Sequence, residues 1–202
     1  MKKGAGNPPS SPARTYVALL HAPVYNRGGE VVASAVTNLD IHDIARAART
    51  YGLAGYFIVT PDPEQRAIAD RICRHWLEGY GAGYNYERGS ALSLVETAET
   101  LDHVLAGIER REGAPAKVIA TTAAVGEGLA ERVIPFGALR ESLARAERPH
   151  LLLLGTGWGL AAEVMAQSDG ILSPIEGTGG YNHLSVRGAA AIIMDRLFGQ
   201  FE

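Results

Sequence analysis

Two glycine-rich segments in the last quarter of the chain have the composition of ligand-binding loops. The first, Gly-Thr-Gly-Trp-Gly at 155–159, follows the apolar run 151–154, and the second, at 173–180, follows Ile171 and Leu172. Glycine lets the backbone turn sharply and leaves main-chain N–H and C=O groups open to a close ligand. Two such loops at the carboxyl ends of neighbouring strands predict one shared ligand crevice.

The first loop matches the fingerprint of dinucleotide-binding proteins only in part. That fingerprint is G-x-G-x-x-G at the first strand–helix turn, with an acidic residue about 20 residues later. Here the third glycine comes one residue early, the loop lies late in the sequence, and no acidic residue ends a following strand. A nicotinamide or flavin site is therefore disfavoured, and a plain strand-to-helix turn remains the alternative for this loop taken alone.

Histidines and carboxylates form no evident metal or acid–base cluster along the sequence. His21, His42 and His183 lie in distant segments, and a metal site would need them to converge, so we predict no metal. Asp40 and Asp43 stand near the start of a predicted helix, where carboxylates interact favourably with the helix dipole. We interpret them as helix-start charges.

Three tyrosines, Tyr80, Tyr84 and Tyr86, lie in a Gly- and Tyr-rich stretch at 79–89 that predicts a long loop. Aromatic rings stack on unpaired RNA bases in many RNA-binding proteins. Anchoring of the loop and core is the favoured interpretation of these three rings, with base stacking as the alternative.

The elements that must position the glycine-rich loops alternate between strand and helix. Apolar runs predict strands at 15–21, 55–60, 91–95, 117–121, 151–154 and 171–172. Helix-like stretches lie at about 38–51, 64–78, 97–111, 138–147 and from about 182 onward. This alternation predicts a single α/β domain with a largely parallel sheet and helices on both faces.

Composition restricts the classes of protein to which the chain belongs. A length of 202 residues suits one domain, and a formal net charge of −3 excludes a globally basic nucleic-acid binder without excluding a local basic patch. The single cysteine, Cys73, excludes a disulfide framework and fits the reducing cytoplasm. Residues 1–14 read as a disordered leader, and no apolar run approaches the roughly 20 residues of a membrane span.

Three separated motifs give the chain a resemblance to a known family. The first motif is Arg46, six residues before Gly52. The second is the loop 155–159, which reads Gly-x-Gly-x-Gly and is followed by Leu160. The third lies near the end of the chain, where Pro174, a Gly-rich stretch and a run of small residues from Leu184 follow one another. This pattern resembles the SPOUT class of S-adenosylmethionine-dependent RNA methyltransferases, in a bacterial branch, over about residues 15–198.

The resemblance implies features that the strand pattern does not predict. It implies that residues 15–202 form a SPOUT-like domain with a deep C-terminal trefoil knot. It also implies a homodimer with a shared active site and a structured RNA (tRNA or rRNA) as substrate. S-adenosylmethionine would bind bent against three knot loops. The cofactor-binding residues implied are Thr121, Thr122, Leu154, Gly155, Thr156, Gly157, Gly159, Leu172, Ser173, Pro174, Ile175, Gly177, Asn182, His183 and Leu184.

The same resemblance implies the residues that act on the substrate. Arg46, supplied across the dimer, Ser185 and Arg187 are the implied catalytic residues, and we predict that Tyr25, Asn26, Arg27 and Arg49 bind substrate. Other branches of the class carry Asn-x-Ser where this chain has Ser185-x-Arg187. That departure leaves two hypotheses open: a methyltransferase, and a non-catalytic cofactor- or RNA-binding module on the same fold.

Overall fold

The computed structural model describes residues 12–126, 128–145, 147–179 and 181–200. Residues 1–11 of the predicted leader lie outside this range, and Pro12–Arg14 form a single 3₁₀ turn ahead of the first strand. The strands are β1 Thr15–Leu20, β2 Val24–Tyr25, β3 Val31–Val32, β4 Gly55–Val59, β5 Val95–Ala98, β6 Lys117–Thr121, β7 Val133–Ile134, β8 His150–Gly155 and β9 Gly170–Leu172.

Eight α-helices connect these strands in the described residues. They are α1 Asn38–Thr50, α2 Pro63–Leu77, α3 Tyr80–Tyr84, α4 Tyr86–Leu92, α5 Leu101–Glu112, α6 Phe136–Arg145, α7 Ala162–Gln167 and α8 Val186–Phe198. None of the described helices is long and apolar enough to cross a bilayer.

Seven strands form one parallel sheet in the order β5-β4-β1-β8-β6-β9-β7, while β2 and β3 pair separately as an antiparallel hairpin. The sheet confirms the predicted α/β fold. Helices α1, α2, α4, α6 and α8 pack on one face, and α5 and α7 pack on the other. Strand β1 serves both faces, since Val17 and Leu19 enter one core and Tyr16, Ala18 and Leu20 enter the other. Burial on both faces is the reason for its continuous apolar sequence.

Helix starts are set by capping side chains that lie outside the apolar pattern. Thr37, not Asn38 or Asp40, caps α1 by accepting a hydrogen bond from the Asp40 backbone N–H at 3.2 Å. Asp62 caps α2, and Pro63 follows it at the first helical position, where proline is favoured.

Two predicted elements are wrong, and the helix predicted from residue 97 begins only at Leu101, because Thr97 and Ala98 belong to β5. Ala91 and Leu92 end helix α4, which Asn85 caps, so the strand predicted at 91–95 begins only at Val95. A short apolar run does not distinguish a buried strand from a buried helix end. The stretch at 79–89 holds α3 and most of α4 instead of a long loop, and its three tyrosines are exposed, so the core-anchoring interpretation is also wrong.

The last helix begins later than predicted, and this matters for the ligand crevice. Ser185 caps α8, since its hydroxyl accepts a hydrogen bond from the Gly188 N–H at 3.2 Å. The segment from Tyr181 to Ser185 is therefore irregular backbone. Its Asn182 side-chain amide donates to the Ala123 carbonyl at 2.7 Å, against the loop that follows β6. A trefoil knot would bring these same two segments together, and the knot itself stays a prediction.

Candidate functional site

A cavity of about 840 Å³ opens at the carboxyl ends of β6, β8 and β9. The loops that follow these strands form three of its walls, and the first turns of α8 and the segment before α1 form the others. The predicted cofactor residues that line it are Thr121, Thr122, Leu154, Gly155, Thr156, Gly157, Gly159, Leu172, Ser173, Ile175, Asn182, His183 and Leu184. Pro174 and Gly177 belong to the same loop but are not among the lining residues.

The loop at 155–159 is held from outside the cavity by the strand β2. The Trp158 N–H donates to the Tyr25 carbonyl, and the Tyr25 N–H donates to the Gly159 carbonyl, both at 2.9 Å. The Ala162 N–H donates to the Tyr25 hydroxyl at 3.1 Å. Gly157 adopts φ +59°, and a Cβ there would lie 2.6 Å from the Tyr25 carbonyl oxygen. Tyr25 therefore supports the cavity wall from behind.

A chain of polar side chains connects the buried His21 to the cavity. The His21 ring Nδ1 lies 3.1 Å from the Ser34 hydroxyl, and that hydroxyl lies 2.5 Å from the Thr156 hydroxyl. Thr156 also donates to the Leu20 carbonyl at 3.1 Å. Burial lowers the pKa of His21 below its ordinary value, and the Asp40 carboxylate opposes this shift only in part. The ring is thus neutral at neutral pH, and it orients the two hydroxyls.

An arginine held by two carboxylates lies beside the cavity. Arg187 places its Nη1 3.8 Å from an Asp40 carboxylate oxygen and its Nε 3.6 Å from an Asp43 oxygen. Asp40 is buried, lines the cavity and accepts a 2.6 Å hydrogen bond from the Thr37 hydroxyl. Ser185 also lines the cavity. Two predicted catalytic residues, Ser185 and Arg187, therefore come together here, with Asp40 as an added partner.

Arg46, the third predicted catalytic residue, lies elsewhere in the same chain. It lines a separate groove between α1, α2 and α4 and is not among the residues of the 840 Å³ cavity. Its action on a partner subunit's site, which the resemblance implies, stays a prediction.

The predicted substrate-binding residues lie on the surface near β2 and at the end of α1. The Asn26 carboxamide oxygen accepts from the Gly28 and Glu30 N–H groups, so Asn26 shapes the turn of the β2–β3 hairpin. Arg27 is exposed in that turn, and Arg49 is exposed in the last turn of α1. Their contact with substrate stays a prediction.

The cavity also contains residues that the sequence did not indicate. Four come from the segment between β3 and α1 and its first turn: Ser34, Ala35, Thr37 and Asp40. They reach the site because β1 pairs with β8, with Leu20 opposite Gly155, so the chain leaving β1 runs beside the loop after β8. Others are Ala123, Ala124, Val186, Ala189 and Ile193, and Trp158 joins them from within the predicted loop. Among the described residues, no three His, Cys, Asp or Glu side chains converge as a metal site.

Comparison with known proteins adds independent information. A family model described as SAM-dependent RNA methyltransferase matches residues 14–199. A protein of Oleidesulfovibrio alaskensis named tRNA (guanine-N(1)-)-methyltransferase is 48% identical over 184 residues. The match covers 91% of this chain but only 42% of that relative's length.

Solved structures share the fold at low sequence identity. A probable methyltransferase from Bordetella pertussis superposes with a TM-score of 0.62 at 17% identity, covering 92% of this chain and 95% of the other. The SpoU methyltransferase AviRb from Streptomyces viridochromogenes, in complex with AdoMet, has a TM-score of 0.55 at 17% identity, covering 90% and 56%. The chain therefore shares its α/β fold with these methyltransferases, as the resemblance implied.

Proposed function

The chain belongs to the family of SAM-dependent RNA methyltransferases, and from this we propose that it transfers a methyl group from S-adenosylmethionine to a nucleotide of a tRNA or rRNA at the 840 Å³ cavity. The relative named for guanine-N1 methylation is more than twice as long as the segment it shares with this chain. That name therefore assigns no acceptor atom here.

The residues around the cavity fit S-adenosylmethionine. Its volume lies within the range of about 300–1,000 Å³ that is usual for ligand pockets. Leu154, Leu172 and Ile175 supply apolar surface for an adenine ring. The same loop contributes Ile175 and residues 182–184 to the lining, and none of their backbone N–H groups donates to another described residue. Main-chain donors beside apolar side chains suit a purine with a weakly charged tail, and this observation supports the proposal most directly.

The protein contributes mainly the positions of the groups that react. S-adenosylmethionine, when bound, supplies an activated methyl group for in-line transfer to a nucleophile. The loop at 155–159 is fixed by Tyr25 and by the Ser34–Thr156 hydroxyl pair, so little reorganisation is needed when the cofactor enters. Arg187, oriented by Asp40 and Asp43, would hold a phosphate or base of the RNA at the cavity.

We further propose a homodimer in which Arg46 of one subunit completes the site of the other. Trp158 and Leu184 line the cavity and are exposed in the single chain, and Leu39 is exposed beside Asp40. Exposed large apolar side chains around one opening indicate a surface that a partner covers. With tRNA or rRNA as substrate the reaction belongs in the cytoplasm, and in-line methyl transfer needs no metal.

Two measurements test the proposed reaction. Isothermal titration should detect S-adenosylmethionine and its demethylated product binding to the folded protein, and labelled cofactor should transfer label to total RNA from a strain that lacks the gene. Failure of both ligands to bind well-folded protein would refute the proposed cavity. Mass spectrometry of the nucleosides then identifies the acceptor.

Subunit mixing tests the shared site. Arg46→Ala should abolish transfer but keep cofactor binding. Gly157→Ala should weaken cofactor binding at least about tenfold, so that this chain has little activity at a cofactor concentration near the wild-type dissociation constant. At that concentration a one-to-one mixture of the two defective chains should gain about a quarter of wild-type activity from its mixed dimers, because half of the dimers are mixed and each contains one complete site. No recovery in mixed dimers would show that Arg46 does not act across the interface.

The second candidate function is binding of cofactor or RNA without methyl transfer. It is favoured by Arg187, which stands where the resemblance expects serine and is neutralised by two carboxylates. Tight cofactor binding with no label in any RNA would select it.

A further inference from the structure

A second concave surface, here called the basic groove, lies between α1, α2 and α4. It has a volume of about 550 Å³, and its lining includes Arg46, Arg71, Arg88, His42, Trp76 and Asp43. It is separate from the cavity at the ends of β6, β8 and β9, since the two share no lining residue.

The basic groove has an excess of positive charge on a chain whose formal net charge is −3. Three arginines line it against one carboxylate, and Asp43 is already within 3.6 Å of Arg187. Within the described part of the chain, neither Arg46 nor Arg71 has a carboxylate within salt-bridge distance. The pKa of His42 is lowered first by burial and then by the Arg88 cation. Guanidinium groups left without carboxylates in a concavity favour an anionic ligand.

Trp76 gives the groove a rigid aromatic side. The Arg88 guanidinium carbon lies 4.4 Å from the Trp76 ring centroid, and the His42 ring meets its edge with centroids 5.8 Å apart. Helix α3 packs directly on this ring, because a Cβ at Gly81 would lie 2.6 Å from a Trp76 ring carbon. Trp76 therefore ties α3 to the groove.

Helix α3 in turn presents a pair of exposed aromatic rings. The Tyr80 and Tyr84 rings are stacked with centroids 6.2 Å apart and an interplanar angle of 22°, and the two residues are 82% and 73% exposed. Exposed rings beside a cluster of guanidinium groups combine the two features that bind single-stranded nucleic acid: stacking surfaces for bases and cations for phosphates.

We propose that the basic groove and the Tyr80–Tyr84 pair form one contact surface for an unpaired segment of the RNA substrate, with phosphates at Arg46 and Arg71 and bases on the two tyrosines. The proposal rests on the proposed function, since it names how the RNA is held. If Arg46 reaches a partner's cavity, the groove lies beside that cavity, and an RNA strand in the groove would lead to the reacting nucleotide.

Binding of RNA in the absence of cofactor tests this surface. The probes are unfractionated bacterial tRNA and a fluorescein-labelled single-stranded RNA of about 16 nucleotides, the upper end of the site size of a small binding surface. Tyr84→Ala should weaken binding of the labelled strand at least about fivefold, because it removes a stacking ring, while Tyr84→Phe should leave the affinity within about twofold. Arg71→Ala should weaken binding and reduce the slope of log affinity against log salt by about 0.7.

Arg110→Ala is the matched control for charge. Arg110 is an exposed arginine on α5, on the opposite face of the sheet, and its loss should leave both probes bound as tightly as to the wild type. Thermal unfolding, oligomeric state and S-adenosylmethionine affinity should be unchanged in all of these variants.

Each other outcome has a definite meaning. Wild-type affinity for both probes in Arg71→Ala and Tyr84→Ala, or no RNA binding by the wild-type chain, would overturn the proposal. A change in oligomeric state on either substitution would also overturn it, by showing that Arg71 or Tyr84 contacts a second copy and not RNA. If the wild-type protein does not bind S-adenosylmethionine, the proposed function is refuted instead. The RNA affinities of the variants would still show whether the basic groove binds RNA.

Discussion

Gly157 is the position at which the smallest chemical change should have the largest effect on the cofactor cavity. Its φ of +59° lies in the left-handed region, and a Cβ added there would lie 2.6 Å from the Tyr25 carbonyl oxygen. That carbonyl cannot turn away freely, because it accepts the 2.9 Å hydrogen bond from the Trp158 N–H. Gly157→Ala must therefore displace either the loop at 155–159 or strand β2.

The cost of this substitution has two parts. An alanine in the left-handed region costs about 1 kcal/mol, and forcing a methyl group into a packed position costs about 1–3 kcal/mol. The free energy of unfolding should therefore fall by about 2–4 kcal/mol. If the loop absorbs the displacement, the cavity wall moves, and restoring it on binding should raise the dissociation constant of S-adenosylmethionine at least about tenfold, which corresponds to about 1.4 kcal/mol.

Gly177→Ala provides the control on the neighbouring loop. An added Cβ at Gly177 would meet nothing within 4 Å, and its backbone is outside the left-handed region. Its free energy of unfolding should stay within about 0.5 kcal/mol of the wild type, as for most surface substitutions. Urea denaturation measures stability, and isothermal titration measures cofactor affinity for both variants.

Two results would refute the reasoning about Gly157. Wild-type stability of Gly157→Ala would show that the close approach to Tyr25 does not constrain the loop. Reduced stability with unchanged cofactor affinity would show that the added methyl group does not displace the loop at 155–159 as a wall of the cofactor site.

Three further predictions concern charge and burial. Asp40→Asn should lower kcat/KM for RNA about tenfold, because the loss of the carboxylate charge that orients Arg187 costs about 1.4 kcal/mol. Cofactor affinity, measured by titration, should stay within about twofold of the wild type. An equal loss of kcat/KM and of cofactor affinity would contradict this role of Asp40. Burial lowers the pKa of His150 to about 4, so at pH 5 the unfolded chain binds a proton at this residue and the folded chain does not. The free energy of unfolding should therefore fall by about 2 kcal/mol from pH 7 to pH 5. In urea denaturation, His150→Asn should lack that part of the pH dependence. Cys73 is only 7% exposed, and burial raises the pKa of its thiol to about 11. Maleimide should therefore label Cys73 at pH 7 only after the protein unfolds. Rapid labelling of the native protein would contradict this burial.

The sequence predicted the sheet well where burial is symmetric. Strands such as β1 and β8 pack on both faces, which requires a continuous apolar run, and such a run is visible without any knowledge of neighbours. The sequence failed at residues 91–95, where an Asn85 cap and a helix end replace the predicted strand. Over a few residues, an apolar run fits a buried helix end as well as a strand. The apolar pattern alone does not reveal that the Asn85 cap favours the helix.

Much of the cavity followed from the same reasoning. Glycines after β8 and the residues after β9 were predicted to meet because parallel strands end at one edge of a sheet, and Gly155, Leu172 and Leu184 do line one cavity. The assignment of that cavity to S-adenosylmethionine came from the resemblance, and the family match supports it. The exact lining depends on where α8 begins, and its Ser185 cap left residues 181–185 free to form a wall.

The sequence by itself determined the α/β class, the strand-end position of the two glycine-rich loops and the family. Only the tertiary structure decided which distant segments complete the site. Ser34 and Asp40 join it because β1 inserts between β4 and β8, and strand order depends on packing of the whole sheet, which no local pattern encodes. The structure likewise placed Arg46 in one groove with Arg71 and Trp76, residues that their spacing in the sequence does not connect.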